Sequence, residues 1–338
     1  MTNAEGSTAL ARRQSQRHAS QERACPSRER IESFKASARG QAGSMIVTVF
    51  GDGVLPRGGR IWLGSLIGLL EPLGLADRLV RTTVFRLAQD DWLEAVTQGR
   101  RSDYRLTGSG RRRFVEASRH IYAAEPAPWD QRWRLITVTG ELESDQRERL
   151  RRALFWHGFG QLGADCFVHP SADLAGVFES LESESLASVL DRLLPLVAAN
   201  PRLATSGKDA DLVHRAWNLQ GLDDAYRSFV DSYATVLVQW QRADTALSDE
   251  LAFLIRSLLI HDYRRLLLRD PELPGVLLPA RWAGHEARLL CRELYRLLLP
   301  ASERHLDKHL LLANGQVPSA SALLTERFGL SDSLLTSA

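Results

Sequence analysis

Residues 76–106 read ADRLVRTTVFRLAQDDWLEAVTQGRRSDYRL, and few arrangements accommodate that order of textures. Asp77 supplies an acidic start for a helix, and Val80, Thr83, Val84 and Leu87 recur at i, i+3, i+4 and i+7, marking one buried side. The opposite side then carries Arg78, Thr82, Arg86 and Gln89, with Arg81 at its margin. Phe85 falls near the polar side, where it either packs beneath the neighbouring hairpin or touches base methyl groups, packing being the expected role. Taken alone, this pattern is that of a solvated amphipathic surface helix. Two short strands at 92–96 and 103–106 follow at once, joined by the basic turn Gly99-Arg100-Arg101-Ser102. A basic helix leading into a cationic hairpin is the layout of a winged helix-turn-helix, with a rod for the major groove and a hairpin for the adjacent backbone. Arg is suited to guanine edges or phosphates, Thr to a thymine methyl or a phosphate, and Gln to adenine. The expected DNA-contacting set is Arg78, Arg81, Thr82, Arg86, Gln89, Arg100 and Arg101.

Charge agrees with this division. Residues 45–120 hold 12 Lys/Arg against 8 Asp/Glu, whereas 125–200 hold 7 against 12, so phosphate contact falls to one module. With 338 residues, 44% hydrophobic and 25% charged, the chain has the make-up of an ordinary globular protein of two or three domains. Its apolar windows are too short for a bilayer and its N-terminus lacks a secretory h-region, so a cytoplasmic location is expected. Cys25, Cys166 and Cys291 are odd in number and far apart, and read as reduced thiols rather than a disulfide framework or metal knuckle.

Texture divides the chain further. Residues 1–43, rich in Ser, Gln, Arg and Ala, are expected to be a disordered extension. The DNA-binding module spans 44–124: an apolar helix at 44–50, a Gly/Pro loop, a supporting helix beginning at Ile61 and stopping at Pro72-Leu73-Gly74, the basic helix, the hairpin, and a further helix after Thr107 ending near Tyr122. Pro126 and Pro128 mark a boundary. Residues 125–205 open with a strand at 133–139, a helix at 144–156 and a strand at 164–168, a β-α-β beginning that fits a small ferredoxin-like domain. Residues 206–325 are expected to form an all-helical domain, with stripes at 211–240, 251–268 and 280–299, followed by a tail at 326–338. The fold class is therefore α+β and multidomain.

Several blocks carry a family resemblance: GDGVLPRGGRIWLGSLIGLLEPLGLADRLVRTTVFRLAQDDWL, GRRSDYRLTGSGRRRF, RHIYAAEPAPWDQRW and LLIHDYRRLLLRDPELPGVLLPARWAGHEARLLCRELY. Together they resemble the phenylacetic acid degradation repressor family, PaaX, over nearly everything after the N-terminal extension. The resemblance implies a homodimeric repressor of aromatic-acid catabolic genes, released from its operator by phenylacetyl-CoA; a regulator of another acyl-CoA or aromatic pathway is the alternative. His261, Tyr263, Arg264 and Arg265, with Arg281, Trp282 and His285, supply Arg for an anion and aromatic rings for stacking, and form the expected effector site. For any one of them, capping or an interhelix ion pair is the more ordinary role.

An enzymatic reading finds little footing. The His261/Asp262 and His285/Glu286 pairs are adjacent, so on a helix they face apart and lack ligand spacing. Gly158-Phe159-Gly160-Gln161-Leu162-Gly163 follows a helix instead of a strand, the reverse of dinucleotide-binding order, and is read as a helix stop and turn. The middle domain is also similar to small CRISPR-associated nucleases, but its first strand ends Val138-Thr139-Gly140 where a metal-holding carboxylate would be needed, with Glu141 displaced. No catalytic residue, metal ligand or cofactor is assigned.

Overall fold

The computed structural model describes residues 25–99, 101–122, 129–201, 207–242, 248–321, 324 and 327–329. It is a mixed α and β structure with two separate sheets, and the chain forms two compact units. One comprises residues 1–122, 229–263 and 288–338; the other comprises 123–228 and 264–287. The C-terminal helices, expected as a domain of their own, are thus divided between the units. The reason is that their apolar stripes cover surfaces belonging to the rest of the chain.

The first unit opens with helices α1 (Pro26–Lys35) and α2 (Ala38–Val49). Residues 25–43 are therefore helical where a disordered extension was expected. Helix α1 is mostly polar, but it buries Ile31 and Phe34, and its Ser27 and Arg30 are held by Gln239 and Asp262 more than 200 positions away. Residues 1–24 of that expected extension lie outside the described residues. Past α2 the chain does not break at Gly51-Asp52-Gly53 but widens into a π-helical turn at Phe50–Val54. Close packing explains the glycine: a Cβ on Gly51 would stand 2.4 Å from the Phe114 ring.

Strand β1 (Arg60–Trp62) precedes helix α3 (Leu63–Leu70), so Ile61 and Trp62, expected at the start of that helix, belong to a strand. Helix α4 (Asp77–Gln89) leads to the antiparallel pair β2 (Leu93–Gln98) and β3 (Arg101–Leu106), and the sheet order is β1-β3-β2. Helix α5 (Gly108–Ile121) begins at Thr107, whose hydroxyl accepts from the Gly110 amide at 2.9 Å. The core gathers Met45, Ile46, Phe50, Leu66, Leu70, Val80, Val84 and Leu93.

The second unit holds β4 (Trp133–Val138), α6 (Ser144–Trp156), β5 (Gly160–Gly163), β6 (Cys166–His169), α7 (Leu174–Leu181) and β7 (Leu193–Ala198). Its antiparallel sheet runs β5-β6-β4-β7 over a core that includes Ile136, Leu150, Leu154, Phe167 and Leu181. The glycine run read as a stop and turn is instead half strand. A Cβ on Gly160 would lie 2.6 Å from the Trp217 indole, so glycine is what lets the ring approach the strand. Helices α8 (Asp209–Ala216), α9 (Leu219–Gln241), α10 (Asp249–Leu267) and α11 (Ala283–His309) complete the chain. The last continues through Pro300, ten residues beyond its expected end at 299. Among the described residues no helix is long and apolar enough to cross a membrane.

Candidate nucleic-acid interface

Helix α4 is amphipathic with its two sides assigned as its spacing demands. Val80 and Val84 are buried and Thr83 and Leu87 half-buried, while Arg78, Arg81, Thr82, Phe85, Arg86 and Gln89 are all exposed. The exposed side chains differ in how they are engaged. Arg81 forms an i, i+4 ion pair with Asp77. The Thr82 hydroxyl donates to the Arg78 carbonyl at 2.8 Å, so its hydrogen is committed to the main chain and its methyl is left for an outside contact. Arg78 and Arg86 make no ion pair with any described residue. Phe85 is 60% exposed and does not pack beneath the hairpin.

The hairpin is tighter than expected. Strands β2 and β3 pair from Leu93↔Leu106 to Gln98↔Arg101, leaving Gly99 and Arg100 as a two-residue connection, with Gly99 at φ +60° as a turn of this length favours. Arg101 and Ser102 therefore lie in a strand. The Arg101 guanidinium stands 4.7 Å over the Trp62 ring and donates to the Ala313 carbonyl at 3.4 Å. Arg100 lies outside the described residues. Exposed Arg111 and Arg112 add charge on α5.

Behind this surface sits a buried polar network that sequence reading missed. The Asp52 carboxylate accepts from Tyr122 (2.6 Å), Tyr295 (3.0 Å), Arg256 (2.6 Å) and Arg327 (2.9 Å). Arg256 also binds Glu303 and the Ser302 hydroxyl, and Arg57 pairs with Glu303 (2.7 Å) and Asp307 (2.8 Å). Burial pushes the Asp52 carboxyl up, yet the guanidiniums of Arg256 and Arg327 outweigh it and hold the group below the usual carboxylate range. Arg327 was expected in a free tail; it is buried, and Phe328 beside it packs on Tyr122 and Tyr295. Residues 330–338 of that tail lie outside the described residues. Buried Asp103 similarly binds Arg60 (2.8 Å) and the Ala313 amide (2.6 Å), strapping the segment after α11 to the sheet.

The expected effector residues are not brought together as a group. His261 and Tyr263 belong to the core of the first unit: the His261 ring bonds Gln41 at 2.8 Å and meets the edge of Phe34, and Tyr263 packs on Phe229. Between them Asp262 binds Arg30 and Tyr233. This motif, read as a ligand grip, stitches α10 to α1 and α9. In the second unit Trp282 is buried against Tyr226, while Arg265, Arg281 and His285 are exposed and Arg264 half-buried. The same unit carries an open cleft of about 260 Å³ lined by Trp217, Asn218, Leu219, Gly221, Leu222, Arg269 and Pro271. The Trp217 indole is fixed there by its bond to the Gly158 carbonyl at 3.0 Å. Among the described residues no three His, Cys, Asp or Glu side chains are placed to hold a metal ion.

Three family descriptions match successive stretches: "PaaX-like protein" at residues 41–110, "PaaX protein central Cas2-like domain" at 126–194, and "PaaX-like protein C-terminal domain" at 217–308. The "Transcriptional repressor PaaX" of Escherichia coli (strain K12) is 38% identical over 286 residues, covering 85% of this chain and 89% of that protein. A solved structure, "Uncharacterized protein Rv0674 from Mycobacterium tuberculosis", aligns at 23% identity with a TM-score of 0.46, over 71% of this chain and 89% of that one. With a curated relative at this identity along most of its length, and the exposed cationic helix inside the first matched stretch, the chain belongs to the PaaX family of transcriptional repressors, regulators and not enzymes.

Proposed function

We propose that this protein is a cytoplasmic, homodimeric, sequence-specific repressor of phenylacetate or related aromatic-acid catabolic genes, and that phenylacetyl-CoA releases it from its operator. The observation that carries the DNA-binding part is the exposed side of α4, where Arg78 and Arg86 make no ion pair with any described residue, followed by a two-residue hairpin. The order of helices α2, α3 and α4, with α4 leading into the β2–β3 hairpin, supports reading residues 44–124 as a winged helix-turn-helix with α4 as the recognition helix. In the middle region, the β-α-β-β-α-β order and the sheet sequence β5-β6-β4-β7 support a ferredoxin-like domain. In a two-fold dimer, paired α4 helices would address half-sites about 34 Å apart or a multiple of that spacing.

A DNase footprint on the gene's own promoter and on promoters of aromatic-acid catabolic genes tests the reading, with protection of a two-fold sequence expected. Titration with phenylacetyl-CoA, phenylacetate and free CoA then tests the effector. The thioester alone is expected to bind and to weaken the footprint, because a ligand shifts an equilibrium only through differential affinity for its two states. The second-unit cleft joins a fixed indole to Arg269, a flat face beside a cation, and with exposed Arg265, Arg281 and His285 it is the surface to probe by substitution. Preference for a different thioester would move the protein to another acyl-CoA pathway, and a footprint unmoved by any thioester would remove the effector part.

A further inference from the structure

Helix α4 carries an apolar group where its cationic side offers no apolar neighbour in the core. Phe85 is 60% exposed, and the residues one turn before and after it are Arg81, Thr82, Gln89 and the small, half-buried Ala88, with Arg78 two turns before and Arg86 adjacent. A lone exposed apolar side chain on a protein surface is unremarkable. Here, however, a second apolar group stands beside it. Because the Thr82 hydroxyl is bonded back to the Arg78 carbonyl, the methyl is the part of that exposed side chain left for an outside contact, three residues from Phe85. The helix thus presents a narrow apolar strip with Arg78 at its N-terminal end and Arg86 along one side.

Duplex DNA has a surface of matching chemistry. In the major groove the C5-methyl of thymine is the apolar feature of the base edges, and Thr methyl and Phe are side chains that contact it. The flanking phosphates and guanine edges suit Arg. Residues three apart along a helix advance about 4.5 Å, close to the spacing of about 3.4 Å between successive bases of one strand. We propose that Phe85 and the Thr82 methyl read thymine methyl groups at neighbouring positions of the half-site, and that Phe85 is a specificity-determining residue. The occupant is the major groove of thymine-bearing duplex DNA, selected over other partners by the positive charge of Arg78 and Arg86 beside the strip. This inference rests on the operator-binding reading above.

Deoxyuridine substitution isolates the methyl group, since it removes that group and leaves the base-pairing edge intact. Each thymine of the footprinted half-site is replaced singly, and affinities are measured for the wild-type protein, Phe85→Ala, Phe85→Leu and Thr82→Ser. For wild-type protein, one or two positions should lose about four-fold in affinity per methyl removed. Phe85→Ala should weaken binding to the unmodified operator and abolish the loss at one of those positions, Phe85→Leu should keep part of it, and Thr82→Ser should abolish the loss at the neighbouring position. Circular dichroism and thermal melts on the same preparations exclude unfolding, which exposure of both side chains makes unexpected. The proposal is overturned if wild-type binding is indifferent to every substitution, or if Phe85→Ala keeps the wild-type profile. Absence of any specific footprint would instead sink the operator-binding reading and this inference with it.

Discussion

Arginine does opposite work in two regions of the first unit. Around Asp52, Arg57, Arg256 and Arg327 are almost wholly buried, and each binds a carboxylate: Asp52 for Arg256 and Arg327, Glu303 for Arg57 and Arg256. On α4, Arg78 and Arg86 are exposed and form no ion pair with any described residue. One set is satisfied within the molecule and joins segments separated by up to 275 positions; the other leaves its hydrogen-bonding capacity for something outside. Residue type alone does not distinguish these two sets, but the presence of an internal carboxylate does.

The largest expected effect breaks the buried side. Arg256→Ala removes one guanidinium from Asp52 and Glu303 and leaves two buried carboxylates under-compensated, which should cost about 3–5 kcal/mol in urea unfolding. Arg78→Ala or Arg86→Ala should change stability by about 0.5 kcal/mol or less, as for other surface substitutions. Comparable losses in both sets would erase the distinction. Binding should show the reverse pattern: Arg78→Ala and Arg86→Ala are each expected to weaken operator affinity by about 1–3 kcal/mol and relax discrimination at the contacted base, measured by electrophoretic shift or anisotropy.

A smaller effect comes from two buried histidines. Burial, with the Arg134 and His157 charges, pulls His169 down to about 4, and burial with neighbouring His309 does the same for His305. Their folded-state values lie below the unfolded value of 6.5, so the stability they contribute is present above pH 6.5 and is lost as pH falls towards 4. The shift corresponds to at most about 3 kcal/mol for each across that window, and His169→Phe or His305→Phe should flatten part of the slope in denaturation midpoints. Below pH 4, protonation of Asp52 should begin to weaken the network, because that carboxyl is held below its ordinary range. The smallest effect belongs to Arg101, whose guanidinium stacks on Trp62 and bonds the Ala313 carbonyl. If it also reaches a phosphate, Arg101→Ala should reduce the salt slope of binding by about one unit, nearly equally for all sequences.

How far the sequence was legible follows from the range of the interactions involved. Helix α4 was readable because its apolar spacing is local. Helix α6 appeared at its observed bounds, Ser144–Trp156, where Glu143 and Gln146 form a capping box within four residues. The hairpin was readable, but its turn was placed too wide because Arg101 and Ser102 are polar enough to resemble loop. Strand β5 was hidden since glycine is a poor strand former, and the reason for Gly160 is an indole 57 positions away. Helix α1 was hidden behind polar composition, its support coming from Gln239 and Asp262. Asp52 gave no local sign of its importance, as its partners come from four other parts of the chain. In the His261–Arg265 motif, His261 and Asp262 are engaged by internal partners that the motif's own spacing does not indicate.

The most direct test of the account compares one footprinted operator with a scrambled duplex of equal length, at about 150 mM salt, for wild-type protein and the Arg78→Ala/Arg86→Ala double variant. Wild-type protein is predicted to prefer the operator by about a thousand-fold or more, whereas the double variant, equally stable to urea, should bind both duplexes with the same weak, salt-sensitive affinity. Undiminished operator preference in the double variant would contradict the assignment of α4 as the element that reads DNA.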